Sequence, residues 1–171
     1  RSMEEIKRFA DDCSDVQMTV VRNDRAHGLA INCFDSSFMA EGKHHRMGWG
    51  DNVDSVENYI EIFRNLDSTD ILVINYNVTQ GKPFFRNVLS ATYTKIIQTI
   101  SGYKIGYFNG GNCIPTILLR RYHVESRGFG FQADLLTRLL DAGVTHRELK
   151  LISHERASGS SSALKIRNWL S

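Results

Sequence analysis

The 171 residues are 42% hydrophobic and 23% charged, with 2 Pro and 13 Gly, a globular balance that excludes collagen-like, low-complexity and wholly disordered chains. A chain of this length fits one domain, 1–171, whose core needs no disulfide or metal staple. The formal charge of +2 is too small a basic excess for a nucleic-acid binder.

Met3 to Ala10 reads as a short amphipathic helix with Ile6 and Phe9 inward, and Gln17 to Val21, rich in β-branched residues, as a strand. Asn23-Asp24-Arg25 turns into a helix that starts at Gly28 and runs to about Ala40. A strand from His45 to Trp49 ends at Gly48-Trp49-Gly50-Asp51-Asn52. Asp54-Ser55 caps a helix over Val56 to Leu66, and Asp70 to Tyr76 is the clearest strand. Strand and helix alternate three times in this stretch, which predicts an α/β fold: a Rossmann-like, mostly parallel sheet with flanking helices. Phe84 to Ser101, Ile114 to Tyr122 and Gln132 to Ala142 follow as helices, the last closed by Gly143. Leu149 to Ser153 reads as a strand, Arg156 to Ser162 as a small polar loop, and Ala163 to Leu170 as a terminal helix.

Charge is uneven along the chain: Arg1 to Ile114 is net −2 and Pro115 to Ser171 net +4. The last third therefore leans toward an anionic partner such as a phosphate or an acidic membrane surface, although a solvated face with a few extra arginines accounts for it as well. Cys13, Cys33 and Cys113 are odd in number and widely spaced, which argues against a disulfide framework or structural zinc and for a reducing, cytoplasmic setting. No run of apolar residues is long enough to span a bilayer. No signal peptide is visible, and Arg1-Ser2-Met3 reads as a cloning remnant or a cut end.

In open α/β sheets ligands bind beyond the carboxyl ends of the strands. Asn23 to Arg25, Asp51-Asn52 and Asn75 to Asn77 fall at such ends. Asp51 is the sharpest of these, because a carboxylate preceded by Gly48 and Gly50 lets metal and phosphate approach closely. A plain turn that caps the next helix is the alternative.

Asn23-Asp24-Arg25-Ala26-His27-Gly28-Leu29-Ala30, Ala40-Glu41-Gly42 and Gly48-Trp49-Gly50-Asp51-Asn52 together resemble the middle of inverting, nucleotide-sugar-dependent family-2 glycosyltransferases of the GT-A type. Arg86-Asn87-Val88-Leu89-Ser90, Tyr107-Phe108-Asn109-Gly110, Gly128-Phe129-Gly130-Phe131-Gln132-Ala133-Asp134 and Glu155-Arg156-Ala157-Ser158-Gly159-Ser160-Ser161 are similar, in order and spacing, to the dolichol- or polyprenyl-phosphate branch. The resemblance implies sugar transfer from a nucleotide-sugar donor to a lipid phosphate at the cytoplasmic face of a membrane. It implies Asp51 as ligand of a divalent metal, Mg or Mn, and of the donor diphosphate. Arg86 and Arg156 would neutralise phosphate charge, and Asp134 would take a proton from a hydroxyl acceptor. Asn23, Gly28, Asn52, Ser90, Gln132, Gly159 and Ser161 would line donor and acceptor. Arg86 and Ser90, four apart, share one helix face, where guanidinium and hydroxyl can meet one phosphate.

The chain departs from that family at three places. The metal turn has one acid instead of two, Ser162 stands where the family has Lys, and the family's opening Pro-x-Tyr-Asn-Glu and Asp-Asp-Gly-Ser strands have no counterpart. The chain thus reads as an N-terminally truncated catalytic domain. Two alternatives stand beside it: a soluble transferase acting on a glycan or protein hydroxyl in cell-envelope polysaccharide synthesis, and a non-catalytic binding module on the same scaffold.

Other conspicuous residues have plainer readings. His44 and His45 are adjacent on a strand, point to opposite faces and cannot share a metal. Gly128-Phe129-Gly130 lacks the strand and third Gly of a dinucleotide fingerprint. Phe84-Phe85, Tyr93 and Ile96-Ile97 at helical spacing read as core, with an interfacial helix facing a lipid acceptor as the alternative. Cys113 reads as a buried thiol.

Overall fold

The computed structural model describes residues 2–13, 15–48, 54–80, 84–124, 126, 128 and 130–154. In chain order the elements are α1 (Ser2–Asp12), α2 (Leu29–Met39), β1 (His44–Arg46), α3 (Val56–Asn65) with a 3-10 turn at Leu66–Ser68, β2 (Ile71–Gln80), α4 (Phe84–Ser101), β3 (Cys113–Pro115), α5 (Thr116–Arg121), α6 (Phe131–Asp141) and β4 (His146–His154).

Among the described residues the strands form one sheet in the order β1-β3-β2-β4. β3 is antiparallel to both β1 and β2, whereas β2 and β4 pair in parallel from Ile71↔His146 onward, with an irregularity between Asn75 and Val78. The protein is therefore α/β with an open mixed sheet, a correction to the mostly parallel expectation. The reason is the three-residue β3, which the helical periodicity from Ile114 onward concealed. Pro115, with φ −51, ends that strand and starts α5.

The apolar side chains of β2 divide by parity, as a strand buried on both faces requires. Ile71 and Val73 join Ala30, Cys33, Phe34, Ile105, Phe108, Leu119, Phe131 and the inward leucines of α6 in the larger core. Leu72 and Ile74 pack with Ile62, Cys113 and Leu151 in a smaller core on the opposite face, beneath α3. Each such fully buried aliphatic side chain contributes about 1.5–3 kcal/mol of transfer free energy.

The expected strand at Gln17 to Val21 is instead extended backbone outside the sheet, with Val20 and Val21 exposed. Its β-branched residues favour an extended chain, but β1 offers them no pairing. α1 forms as expected, yet Phe9 remains exposed rather than inward. α2 begins after Gly28, whose φ of 90 lies in the left-handed region that a side chain resists. Ser55 caps α3 by accepting from Asn58 N at 3.3 Å. The expected loop and helix over 156–170 lie outside the described residues.

Candidate functional site

A buried polar cluster joins the end of β1, the approach to α3 and the middle of β2. Arg46, at the end of β1, donates to Asp54 Oδ2 at 2.8 Å and to Tyr76 Oη at 3.0 Å, and Tyr76 donates to Asp54 Oδ1 at 2.5 Å. The Arg46 and Asp54 side chains are only 12% and 4% exposed. The Arg46 guanidinium also lies over the Tyr59 ring, 5.1 Å from its centroid. Burial works against the Arg46 charge, but the hydrogen bond to Asp54 and the neighbouring oxygens outweigh it and hold the group firmly protonated. Burial, reinforced by Asp54, pushes the Tyr76 hydroxyl well above its ordinary range, so it remains a donor.

Tyr76 meets Tyr107 edge to face, with ring centroids 6.4 Å apart. Tyr107 belongs to the loop between α4 and β3, which the sheet holds closely. Gly106 N donates to Glu148 Oε1 at 3.0 Å while Asn75 Nδ2 donates to Glu148 Oε2 at 2.8 Å. A Cβ at Gly110 would collide with the Ile74 carbonyl oxygen, so only glycine permits this approach. Asn112 Oδ1 accepts from Ile74 N at 2.9 Å.

α4 then brings Arg86 near this loop. Burial pushes the Tyr107 hydroxyl up, and the Arg86 charge pulls it partly back. Two turns further along α4, Tyr93 lies within electrostatic reach of Asn109. Ser90 is half-buried one turn beyond Arg86. From the other side Gln132, buried at the start of α6, accepts from Gly111 N at 3.3 Å.

Of the residues predicted from sequence, Arg86 and Gln132 thus meet the loop that carries Tyr107 to Gly111, and Ser90 stands one turn from Arg86 on α4. Asp134 sits about 200° around the helix from Gln132 and is bonded to Arg138 on its own helix at 2.6 Å. Asn23 lies apart, bonded to Asn32 at 2.9 Å beside a polar groove of about 550 Å³ between residues 17–23 and α2. Gly28 is exposed at the start of α2. Asp51, Asn52, Arg156, Gly159 and Ser161 lie outside the described residues.

Sequence reasoning did not mark Arg46 or Asp54 as site residues, and Tyr76 and Tyr107 entered it only inside the segments Asn75 to Asn77 and Tyr107 to Gly110. Asp54 reads in sequence as a helix cap, but its two oxygens are taken by Arg46 and Tyr76. One signal was available: Arg46 and Asp54 are oppositely charged and flank the Gly-rich turn on either side. His45, half-buried, bonds Ser36 Oγ at 2.9 Å, and burial holds it below the ordinary imidazole range.

Among the described residues no group of three His, Cys, Asp or Glu side chains could hold a metal ion. Asp54 is committed to its ion pair, so it adds no free carboxylate to Asp51. The described residues therefore do not by themselves make a metal centre. No model of a known protein family matches the chain, and no curated protein sequence matches it.

Proposed function

We propose that the chain is the catalytic part of a GT-A-like glycosyltransferase that moves a sugar from a nucleotide-sugar donor to a polyprenyl-type lipid phosphate at the cytoplasmic face of a membrane. The observation that carries the reading is the convergence of three separate resembling segments. Arg86, one turn from Ser90 on α4, acts on Tyr107, the loop Tyr107 to Gly110 lies against Ile74 in the middle of β2, and Gln132 accepts from Gly111 N on the same loop.

The chemistry asks for little proton transfer. A phosphate acceptor is already anionic near neutral pH, so its oxygen can attack the anomeric carbon while the sugar–diphosphate bond breaks. Arg86 supplies fixed positive charge toward developing phosphate charge, and the protonated Tyr107 hydroxyl supplies a donor beside it. Arg156 would add a second cation, as the resemblance implies. Asp51 is the carboxylate that the resemblance offers to a Mg or Mn ion and the donor diphosphate. With a hydroxyl acceptor Asp134 would be the base, but only after parting from Arg138.

The test is calorimetric titration of UDP, GDP and their sugar conjugates with and without manganese, followed by transfer assays on a prenyl phosphate. Nucleotide binding that Asp51→Ala abolishes is expected. Arg86→Ala should lower lipid-phosphate transfer by about two to three orders of magnitude. Near-normal turnover in that variant would remove its assigned role. A product that is an O-glycoside rather than a lipid-extractable sugar phosphate would overturn the acceptor.

A further inference from the structure

α4 buries one side and leaves the other bare. Tyr93 and Ile97 pack against the larger core and Thr94 is buried. On the outer side Phe84 is 83% exposed, Phe85 66%, Val88 44%, Ile96 51% and Ile100 79%. Phe84, Phe85 and Ile96, expected as core, thus face outward, because one helix face suffices to cover the sheet. The remaining exposed positions, Asn87, Ala91, Thr92, Lys95 and Thr99, are small, neutral or cationic.

The charge of the helix itself narrows what can cover it. α4 carries no Asp or Glu, and Lys95 is exposed among its outward apolar side chains. α3 offers the instructive contrast: Val56, Ile60 and Phe63 are 69%, 44% and 69% exposed, but Glu57, Glu61 and Asp67 border them. An anionic surface would repel α3 and attract α4. No helix among the described residues is long and apolar enough to cross a membrane, so α4 could engage a bilayer only by lying along it.

We propose that the outer face of α4 docks on an anionic lipid surface, with its Phe and Ile side chains in the acyl boundary and Lys95 at the headgroups. In naming where the lipid acceptor is met, this rests on the transferase reading. Arg86 and Ser90 lie on the inward side of the same helix, with Tyr93 and Ile97, and take no part in the docking. The docking itself needs neither donor nor acceptor.

Flotation of the full chain with vesicles tests it, using phosphatidylcholine alone and phosphatidylcholine with a third replaced by phosphatidylglycerol. The chain should float with the anionic vesicles and release at high salt. Phe84→Ser with Phe85→Ser should weaken partitioning by about tenfold, and Lys95→Gln by roughly fivefold. Ile60→Ser with Phe63→Ser on α3 should change it little. Circular dichroism confirms that these surface variants are folded. Failure of the wild-type chain to float, or loss from the α3 pair and not the α4 pair, overturns the proposal. So does a dimer that the α4 substitutions dissociate without any vesicle binding, because a second copy then covers the face. The vesicles carry no prenyl phosphate or nucleotide sugar, so a failed donor titration would overturn sugar transfer and leave docking standing.

Discussion

Arg46 and Asp54 close a loop of the chain on themselves, and Tyr76 reaches in from β2 to bond both. A buried pair of this kind is weak evidence for net stability, but removing one member leaves the other charged and desolvated. Asp54→Ala should therefore cost about 3–5 kcal/mol, whereas Tyr76→Phe, which deletes one hydroxyl, should cost about 1–2 kcal/mol. Urea denaturation of both variants and of the double variant measures this. The double variant should cost less than the sum, since the three groups share one network. A loss of only a few tenths from Asp54→Ala would show that water reaches Arg46 and that the cluster is not sealed.

At the scale of elements, the loop from α4 to β3 is held by backbone approach rather than by apolar area. Gly110 sits against the Ile74 carbonyl, and Gly106 and Asn75 share the Glu148 carboxylate. Gly110→Ala should then cost about 3 kcal/mol or more, because the obstructing atom is backbone of a central strand. Gly102→Ala is the comparison: its added methyl meets nothing, and only its φ of 78 is strained, for about 1 kcal/mol. Thermal melting of the two variants should separate them clearly. If both lose the same amount, the loop can back away from β2 and the convergence of Tyr107 with Arg86 is not enforced. Most helix positions, by contrast, were legible beforehand. α4 matches its expected limits, and α2, α3 and α6 lie within a residue or so, because apolar spacing and the residues at Gly28, Ser55 and Gly143 mark them locally.

For the molecule as a whole, the sheet separates two cores that each contain a thiol. Cys33 is buried in the larger core and Cys113 in the smaller, and burial pushes both thiols up to about 11, in Cys113 against an opposing pull from Arg46. Neither forms thiolate at neutral pH, whereas Cys13 is half-exposed. A thiol reagent should consume Cys13 quickly and reach Cys33 and Cys113 only through opening of the fold. If β2 couples its two faces, the two buried thiols should react at matched rates. Faster labelling of Cys113 would show that α3 and the smaller core open on their own.

The chain's local patterning settled the α/β class, the helix limits and the strong strand at β2, since periodicity and caps act over a few neighbouring residues. The resemblance to family-2 glycosyltransferases, not the patterning, marked Arg86, Ser90 and Gln132 as candidates. The tertiary structure alone decided the rest. Pairing with β1 and β2 turned Cys113–Pro115 into a reversed strand, and the absence of such pairing left Gln17 to Val21 outside the sheet. Asp54 became an ion-pair partner because Arg46 and Tyr76, eight and 22 residues away, meet it in space. The outward face of α4 was likewise undetermined by spacing, which places apolar residues on a helix but not the surface each side meets. Strand partners, charge pairing and burial are non-local properties, and a chain acquires them only when it folds.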